Sequence, residues 1–139
     1  MTPPSAIQCA QMPIIGIPEP PALFSDTNNL LVAYETDEEG LFAIVRFVDV
    51  VDHHLSPIND EGLGKHPYAK SGLRFYSFHE ILNSPESRLW APLAMRHWVL
   101  TFKDNTLDVL AKSIEIVTTE IPSRNAATAL LAQIQGPSA

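Results

Sequence analysis

Histidine and carboxylate side chains are concentrated in one stretch of this sequence, and they are its best candidates for chemistry. Three of the five histidines lie within residues 52–66, together with several acids. Imidazole nitrogens and carboxylate oxygens are the groups that bind zinc and iron in proteins. The candidate ligand- or metal-binding residues of this stretch are Asp52, His53, His54 and His66.

The spacing of these four residues argues against a metal centre. His53 and His54 are adjacent, so their side chains would point in opposite directions from an extended chain. The chain also lacks the HExxH motif and comparable ligand spacings. Solvated loop histidines are therefore the favoured interpretation, and we expect neither a metal ion nor a cofactor.

A second candidate site is a charged pair in an apolar part of the chain. Arg46 lies inside the apolar run 41–51, and Asp49 lies near the end of that run. Strand ends that open onto loops often carry functional groups, which makes Arg46 and Asp49 a candidate acid–base pair. A buried arginine also needs an ionic partner, and Asp49 or a glutamate could provide it. The sequence favours this structural ion pair over a catalytic one.

Other common catalytic and binding motifs are missing from the sequence. Cys9 is the single cysteine, which excludes an internal disulfide, and it lies in a proline-rich stretch away from any acid–base group. There is no GxSxG or SxxK motif for a serine nucleophile, and no GxGxxG or P-loop motif for nucleotide phosphates. No catalytic residue is therefore identified by a motif.

The charge distribution bears on the possible partners. The net charge is −7, and the first 45 residues contain six acids and no lysine or arginine. Nucleic-acid binding draws much of its affinity from basic side chains, so this class is disfavoured. No apolar run is long enough to cross a bilayer, and the first residues lack the basic part of a secretory signal. We expect a cytoplasmic protein that binds a protein partner or itself, and neither nucleic acid nor a membrane.

Two antiparallel hairpins form the centre of the predicted fold. In the first, strands over 30–34 and 41–51 meet at Gly40, which can adopt the left-handed conformation of a tight turn. In the second, over residues 96–111, Asp104–Asn105 is predicted to form a two-residue turn. This register pairs Phe102 with Leu107, Leu100 with Val109 and Trp98 with Ala111, and it places all six side chains on one face.

The remaining elements complete the predicted fold. Residues 52–72 are expected to form a long loop, and 73–78 a further strand. Ser84 and Pro85 start a short middle helix, and a C-terminal helix with Ser123 as its N-cap packs on the sheet. The fold class is thus α+β, with a mostly antiparallel sheet of five or six strands.

The chain divides into two parts, and two functions compete. Residues 1–26 form a proline-rich N-terminal arm with apolar side chains that could dock elsewhere, and residues 27–139 form a single α+β domain. The leading hypothesis is a non-catalytic protein-interaction module, in one version a homo-oligomer, because catalytic motifs are missing and the first third is acidic. The alternative is a small enzyme or ligand-binding protein that uses the histidine- and acid-rich loop at 52–66, in one version with a metal.

Overall fold

An antiparallel sheet of seven strands organises the residues that this computed structural model describes, which are 2–16 and 20–136. The strands are β1 (Ser5–Gln8), β2 (Ala22–Ser25), β3 (Leu30–Glu35), β4 (Leu41–Ser56), β5 (Phe78–Leu82), β6 (Arg96–Thr101) and β7 (Thr106–Pro122). The helices are α1 (Pro85–Leu89) and α2 (Ala126–Gln135), and short 3-10 turns occur at Leu63–Lys65, Ala69–Ser71 and Ala91–Leu93. Residues 1 and 17–19 of the predicted arm, and residues 137–139 of the predicted domain, lie outside the described residues.

The two longest strands, β4 and β7, lie side by side at the centre of the sheet. The strand order is β1-β5-β6-β7-β4-β3-β2, and every neighbouring pair is antiparallel. The ladder between β4 and β7 is irregular, because its register shifts on both sides of Ile44 and again between Val50 and Asp52. Such irregularities bend a strand and increase its twist, so the sheet curls.

The concave face of the curled sheet holds the main hydrophobic core. Phe47 of β4 meets Trp98 of β6 edge-on, with ring centroids 5.5 Å apart, and its ring lies 6.1 Å from that of Phe78 in β5. Two strands separate β4 from β5 in the sheet, so these contacts require a strong curl. Large aromatic side chains remove much apolar area from water, which makes this cluster a main source of stability.

Residues 9–16 close the open side of the curled sheet. The N–H of Cys9 donates to the carbonyl of Phe78 at 2.8 Å, and the N–H of Gly16 donates to the carbonyl of Glu35 at 2.8 Å. This segment therefore runs from β5 across the core to β3. Only glycine fits at its far end, since a Cβ on Gly16 would lie 2.1 Å from a backbone carbonyl oxygen.

The convex face of the sheet is covered in two separate places. Helix α2 packs three side chains against β3 and β4: Ala126, Ala129 and Leu130. Residues 57–74, hereafter the covering segment, lie over the other part of this face. Tyr68 of the covering segment packs against Ile81 of β5 and Val99 of β6. Polar side chains of β4 and β7 remain accessible beside the covering segment.

The α+β class, the antiparallel sheet and the C-terminal helix are confirmed, but the predicted strand count is wrong. The sheet has seven strands among the described residues rather than five or six, because β1 and β2 form within the predicted arm, residues 1–26. They occupy the two edges of the sheet. Edge strands tolerate nearby prolines because one side of their backbone needs no partner, which explains how a proline-rich segment supplies both.

Three predicted boundaries also need correction. Strand β4 continues to Ser56, so the predicted loop 52–72 begins as strand. The further strand is β5, which replaces the predicted strand at 73–78. The N-cap of α2 is Asn125 rather than Ser123, since the side chain of Asn125 accepts the N–H of Thr128, in the first turn of that helix, at 2.8 Å.

The second hairpin forms, but its register differs by two residues from the predicted one. Leu100 pairs with Leu107 rather than with Val109, and residues 102–105 make a four-residue connection. The N–H of the first residue of this connection donates to the carbonyl of its last at 2.9 Å. A two-residue shift keeps each side chain on its face, because side chains alternate with a period of two. The predicted apolar face is accordingly confirmed, since its six side chains all belong to the main core.

Candidate functional site

A cavity lies on the convex face of the sheet, between β4, β7 and the covering segment. Its volume is about 340 Å³, and small-ligand sites typically have roughly 300–1,000 Å³. Six acidic and histidine side chains line it: Asp52, His54, His66, Glu86, His97 and Asp108. Apolar side chains complete the walls, so the cavity combines a few convergent polar groups with an apolar lining.

A bulge in β4 decides which side chains face this cavity. Val50 packs against the main core, but the register with β7 shifts between Val50 and Asp52. The extra residue, Val51, reverses the alternation of the strand. As a result Asp52 and His54 face the cavity, while His53 lines a separate recess on the other side.

The carboxylate of Asp108 is the meeting point of the polar groups. His66 Nε2 lies 2.9 Å from Asp108 Oδ2, and His97 Nε2 lies 3.0 Å from Asp108 Oδ1. Asp108 belongs to β7, His97 to β6 and His66 to the covering segment, so three parts of the chain meet here. The Asp108 side chain remains 24% exposed, whereas both imidazoles are buried.

The hydrogen bonds of His66 determine where its proton is. The backbone N–H of Tyr68 donates to His66 Nδ1 at 3.0 Å, so Nδ1 carries a lone pair and not a proton. The proton of the neutral ring is therefore on Nε2, from which it is donated to Asp108. A protonated ring nitrogen cannot bind a metal ion. His66 thus acts as a hydrogen-bond donor that orients Asp108.

His97 connects Asp108 to the start of helix α1. Its Nδ1 atom lies 3.0 Å from Ser84 Oγ, and Ser84 Oγ accepts the N–H of Ser87 as the N-cap of α1. The order Asp–His–Ser is that of a nucleophilic triad. Ser84, however, is completely buried and its hydroxyl oxygen is engaged by the cap, so it cannot reach a substrate. The arrangement positions the imidazole instead.

A second carboxylate, that of Glu86 in α1, reaches the cavity beside Tyr68. The Tyr68 hydroxyl donates a hydrogen bond to Glu86. Burial and this hydrogen bond both raise the pKa of Tyr68, so the hydroxyl stays protonated and remains a donor. The Glu86 side chain is 43% exposed, and its Oε2 atom lies 3.7 Å from His97 Nδ1. The imidazole of His97 therefore lies between two carboxylates.

Asp108 is held in its ionised form. Burial alone would raise the pKa of this carboxyl group, but the hydrogen bonds from His66 and His97 outweigh burial and lower the pKa below its usual value. At neutral pH the cavity therefore presents a carboxylate that is charged and fixed in position.

The structure brings together three of the four residues that the sequence singled out as a candidate loop. Asp52 and His54 line the cavity from β4, and His66 donates to Asp108 from the covering segment. His53 points away from them. The group is assembled from a strand and a covering segment rather than from one continuous loop.

Arg46 and Asp49, the second candidate pair, lie outside this cavity. The ion pair of Arg46 is with Glu115, which lies directly opposite on β7. Asp49 instead has a left-handed backbone conformation within β4, with φ of 55°, and its N–H donates to Asn29 Oδ1 at 3.3 Å. Arg46 therefore forms a structural ion pair with a glutamate, Glu115, and not with Asp49.

Among the residues of the site that escaped the sequence analysis, two belong to the second hairpin: His97 and Asp108. Both lie on the polar face of the second hairpin, but the predicted register put His97 opposite Lys112 and Asp108 opposite Thr101. In the observed register Asp108 lies opposite Val99 and diagonally beside His97. The sequence could have indicated this part of the site, because Asp108 and His97 are diagonal neighbours on one face of the hairpin. Recognising them as neighbours required the correct register.

No group of three or more His, Cys, Asp or Glu side chains within residues 2–16 and 20–136 is arranged to hold a metal ion. In the same part of the chain, no helix is long and apolar enough to cross a membrane. Comparisons with protein-family models, with curated proteins and with solved structures gave no match.

Replacing Asp108 by asparagine tests the hydrogen-bond network. An amide has one acceptor oxygen, so its NH2 group would face one of the two imidazole N–H donors. We expect Asp108→Asn to lower the free energy of unfolding at pH 7 by about 1–3 kcal/mol, measured by urea denaturation. The loss should begin to shrink below about pH 5 and shrink further below about pH 4, because the stabilisation from a carboxylate whose pKa is lowered in the folded state disappears as the pH falls from the unfolded pKa through the folded one.

Asp104→Asn provides the matched control, because Asp104 is exposed in the turn of the second hairpin. This variant makes the same chemical change and should alter the free energy of unfolding by less than about 0.5 kcal/mol. If both variants behaved alike at pH 7, the network around Asp108 would not contribute to stability.

Proposed function

We propose that this chain is a small-ligand-binding protein and that the ligand occupies the cavity beside the covering segment. The observation that supports this most is Asp108, a charged carboxylate that two buried imidazoles orient and that still opens into the cavity. Convergent polar groups in a mostly apolar concavity are typical of small-molecule sites.

Binding is favoured over catalysis because the buried polar groups at the centre of the cavity are already engaged. Both ring nitrogens of His66 and of His97 have protein partners, so neither imidazole offers a free lone pair to a substrate. Ser84 is buried. The lowered pKa of Asp108 also makes this carboxylate a weak general base at neutral pH, since an effective base has a pKa near the working pH.

The covering segment supports a binding role because it shapes the cavity without sealing it. Its 3-10 turns at Leu63–Lys65 and Ala69–Ser71 flank His66 and Tyr68, the two residues through which it contacts the polar network.

Filling the cavity with an indole ring tests this proposal. We expect His54→Trp to abolish ligand binding, because residue 54 faces the cavity. Binding would be measured on ¹⁵N-labelled protein by NMR against a panel of small amines, alcohols and carboxylates, with saturable shifts at Tyr68, His97 and Asp108 as the criterion.

His53→Trp is the matched control, because the neighbouring residue faces the other side of β4. It should bind the same probes as the wild type. The proposal would be refuted if no probe of the panel produced saturable shifts at the cavity, or if the two tryptophan variants lost binding equally.

A second candidate function, a self-associating interaction module, draws on a different surface. Residues 89–95 form an uninterrupted apolar run at the end of α1, in which Leu89 is 76% and Leu93 53% exposed. Consecutive exposed apolar side chains of this kind are typical of protein contact surfaces. A second copy of the chain could cover them.

Sedimentation velocity tests the self-association. We expect a dimer that Leu93→Ser converts to a monomer, because a serine removes apolar area from the contact. Leu131→Ser, a change at a leucine of α2 that is 55% exposed, should leave the dimer intact. A wild-type chain that is monomeric at every concentration would rule out this second candidate.

A further inference from the structure

The charged side chains that line the cavity are all acidic. They are Asp52, Glu86 and Asp108, and no lysine or arginine occurs among the described residues of its walls. The Nδ1 atom of His66 accepts the N–H of Tyr68 and is therefore not available to a ligand. Because the protein walls exclude part of the solvent, this negative charge acts on a ligand more strongly than it would at an open surface.

Asp108 has acceptor capacity that the protein leaves unused. A carboxylate offers about four acceptor positions. His66 and His97 both approach Oδ1, at 3.2 and 3.0 Å, whereas among the described residues Oδ2 receives a bond from His66 alone, at 2.9 Å. Because the side chain is 24% exposed and lines the cavity, a donor in the cavity can reach the carboxylate. A charged donor would form the strongest such bond.

The apolar walls restrict the kind of cation that fits. Ile58, Pro67 and Leu110 line the cavity together with Tyr68. A hard metal ion requires several oxygen ligands around it, and the described residues provide no such group. An organic cation satisfies both parts of the cavity, because its charged head can meet the carboxylate while its hydrocarbon body contacts the apolar walls.

We propose that the cavity binds a small organic ammonium ion whose N–H groups donate to Asp108 Oδ2 and whose apolar body packs against Ile58, Pro67 and Tyr68. This inference rests on the proposed function, since it names the ligand class of the same cavity. Anionic ligands of equal size are disfavoured because they would approach three carboxylates without a lysine or arginine side chain to receive them.

Three probes of nearly equal shape test the ligand class: 2-phenylethylammonium, 2-phenylethanol and 3-phenylpropionate. Each is titrated into ¹⁵N-labelled full-length chain at neutral pH and low salt, and the shifts of Tyr68, His97 and Asp108 are followed. The ammonium probe should bind at least about tenfold more tightly than the alcohol, because a hydrogen bond to a charged group is worth about 1.5–3 kcal/mol. The propionate should not bind.

Two carboxylate variants locate the preference. Asp108→Asn should reduce the affinity for the ammonium probe at least about tenfold and remove its advantage over the alcohol, while Asp104→Asn should leave both unchanged. Glu86→Gln, which removes neither imidazole hydrogen bond to Asp108, should weaken binding of the ammonium probe less than Asp108→Asn does. It gives a second reading should Asp108→Asn fold poorly, and Glu61→Gln is its exposed control.

The outcomes separate this inference from the proposed function. Equal or tighter binding of the alcohol or the propionate at the cavity, or no binding of the ammonium probe, would overturn the ligand class, and the proposed function would stand as long as any member of the wider panel binds there. Ammonium affinity that is unchanged in both Asp108→Asn and Glu86→Gln would also overturn it. The failure of the whole panel would instead overturn the proposed function itself.

Discussion

Two imidazole hydrogen bonds to one carboxylate hold the candidate site together. Burying part of a charged group costs free energy unless hydrogen bonds replace those that water made, and His66 and His97 provide them for Asp108. The same bonds attach the covering segment to β6 and β7, since His66 belongs to that segment. The interaction that keeps Asp108 ionised therefore also keeps the cavity in shape.

Backbone features, rather than side-chain type alone, bring the remaining groups to the cavity. The bulge at Val51 turns Asp52 and His54 towards it and His53 away from it. The N-cap of α1 places Ser84 against His97, and the first turn of that helix carries Glu86. The bulge interrupts the alternation of a strand, and the N-cap fixes the start of a helix. Together they place acidic groups beside the apolar walls of the cavity.

Much of the fold followed from periodicity, and the rest depended on features that periodicity does not specify. The alternation around Trp98 and Leu107 predicted their shared core face correctly. It could not choose between registers two residues apart, because both put the same side chains on that face. The edge strands β1 and β2 were missed because four-residue strands near prolines carry little pattern of their own.

Only part of the candidate site was predicted, again because the sequence pattern does not specify the strand register. His66, His54 and Asp52 were found because they are close in the sequence, whereas Asp108 and His97 come together only through the register of the second hairpin. Tyr68 is brought to the site because the covering segment folds back over the sheet, and there it meets Glu86 of α1, which is a tertiary effect. No spacing of residues in the sequence indicates this contact.

The Nε2–H group of His66 orients Asp108, and long-range ¹H–¹⁵N correlation spectra of the histidine side chains at neutral pH locate this proton. With His66→Gln used to assign the signals, we expect a His66 ring protonated at Nε2 alone, with an Nδ1 atom that accepts a hydrogen bond. A ring protonated at Nδ1 alone, or at both nitrogens, would show that Tyr68 N–H and Asp108 do not hold the imidazole in this way.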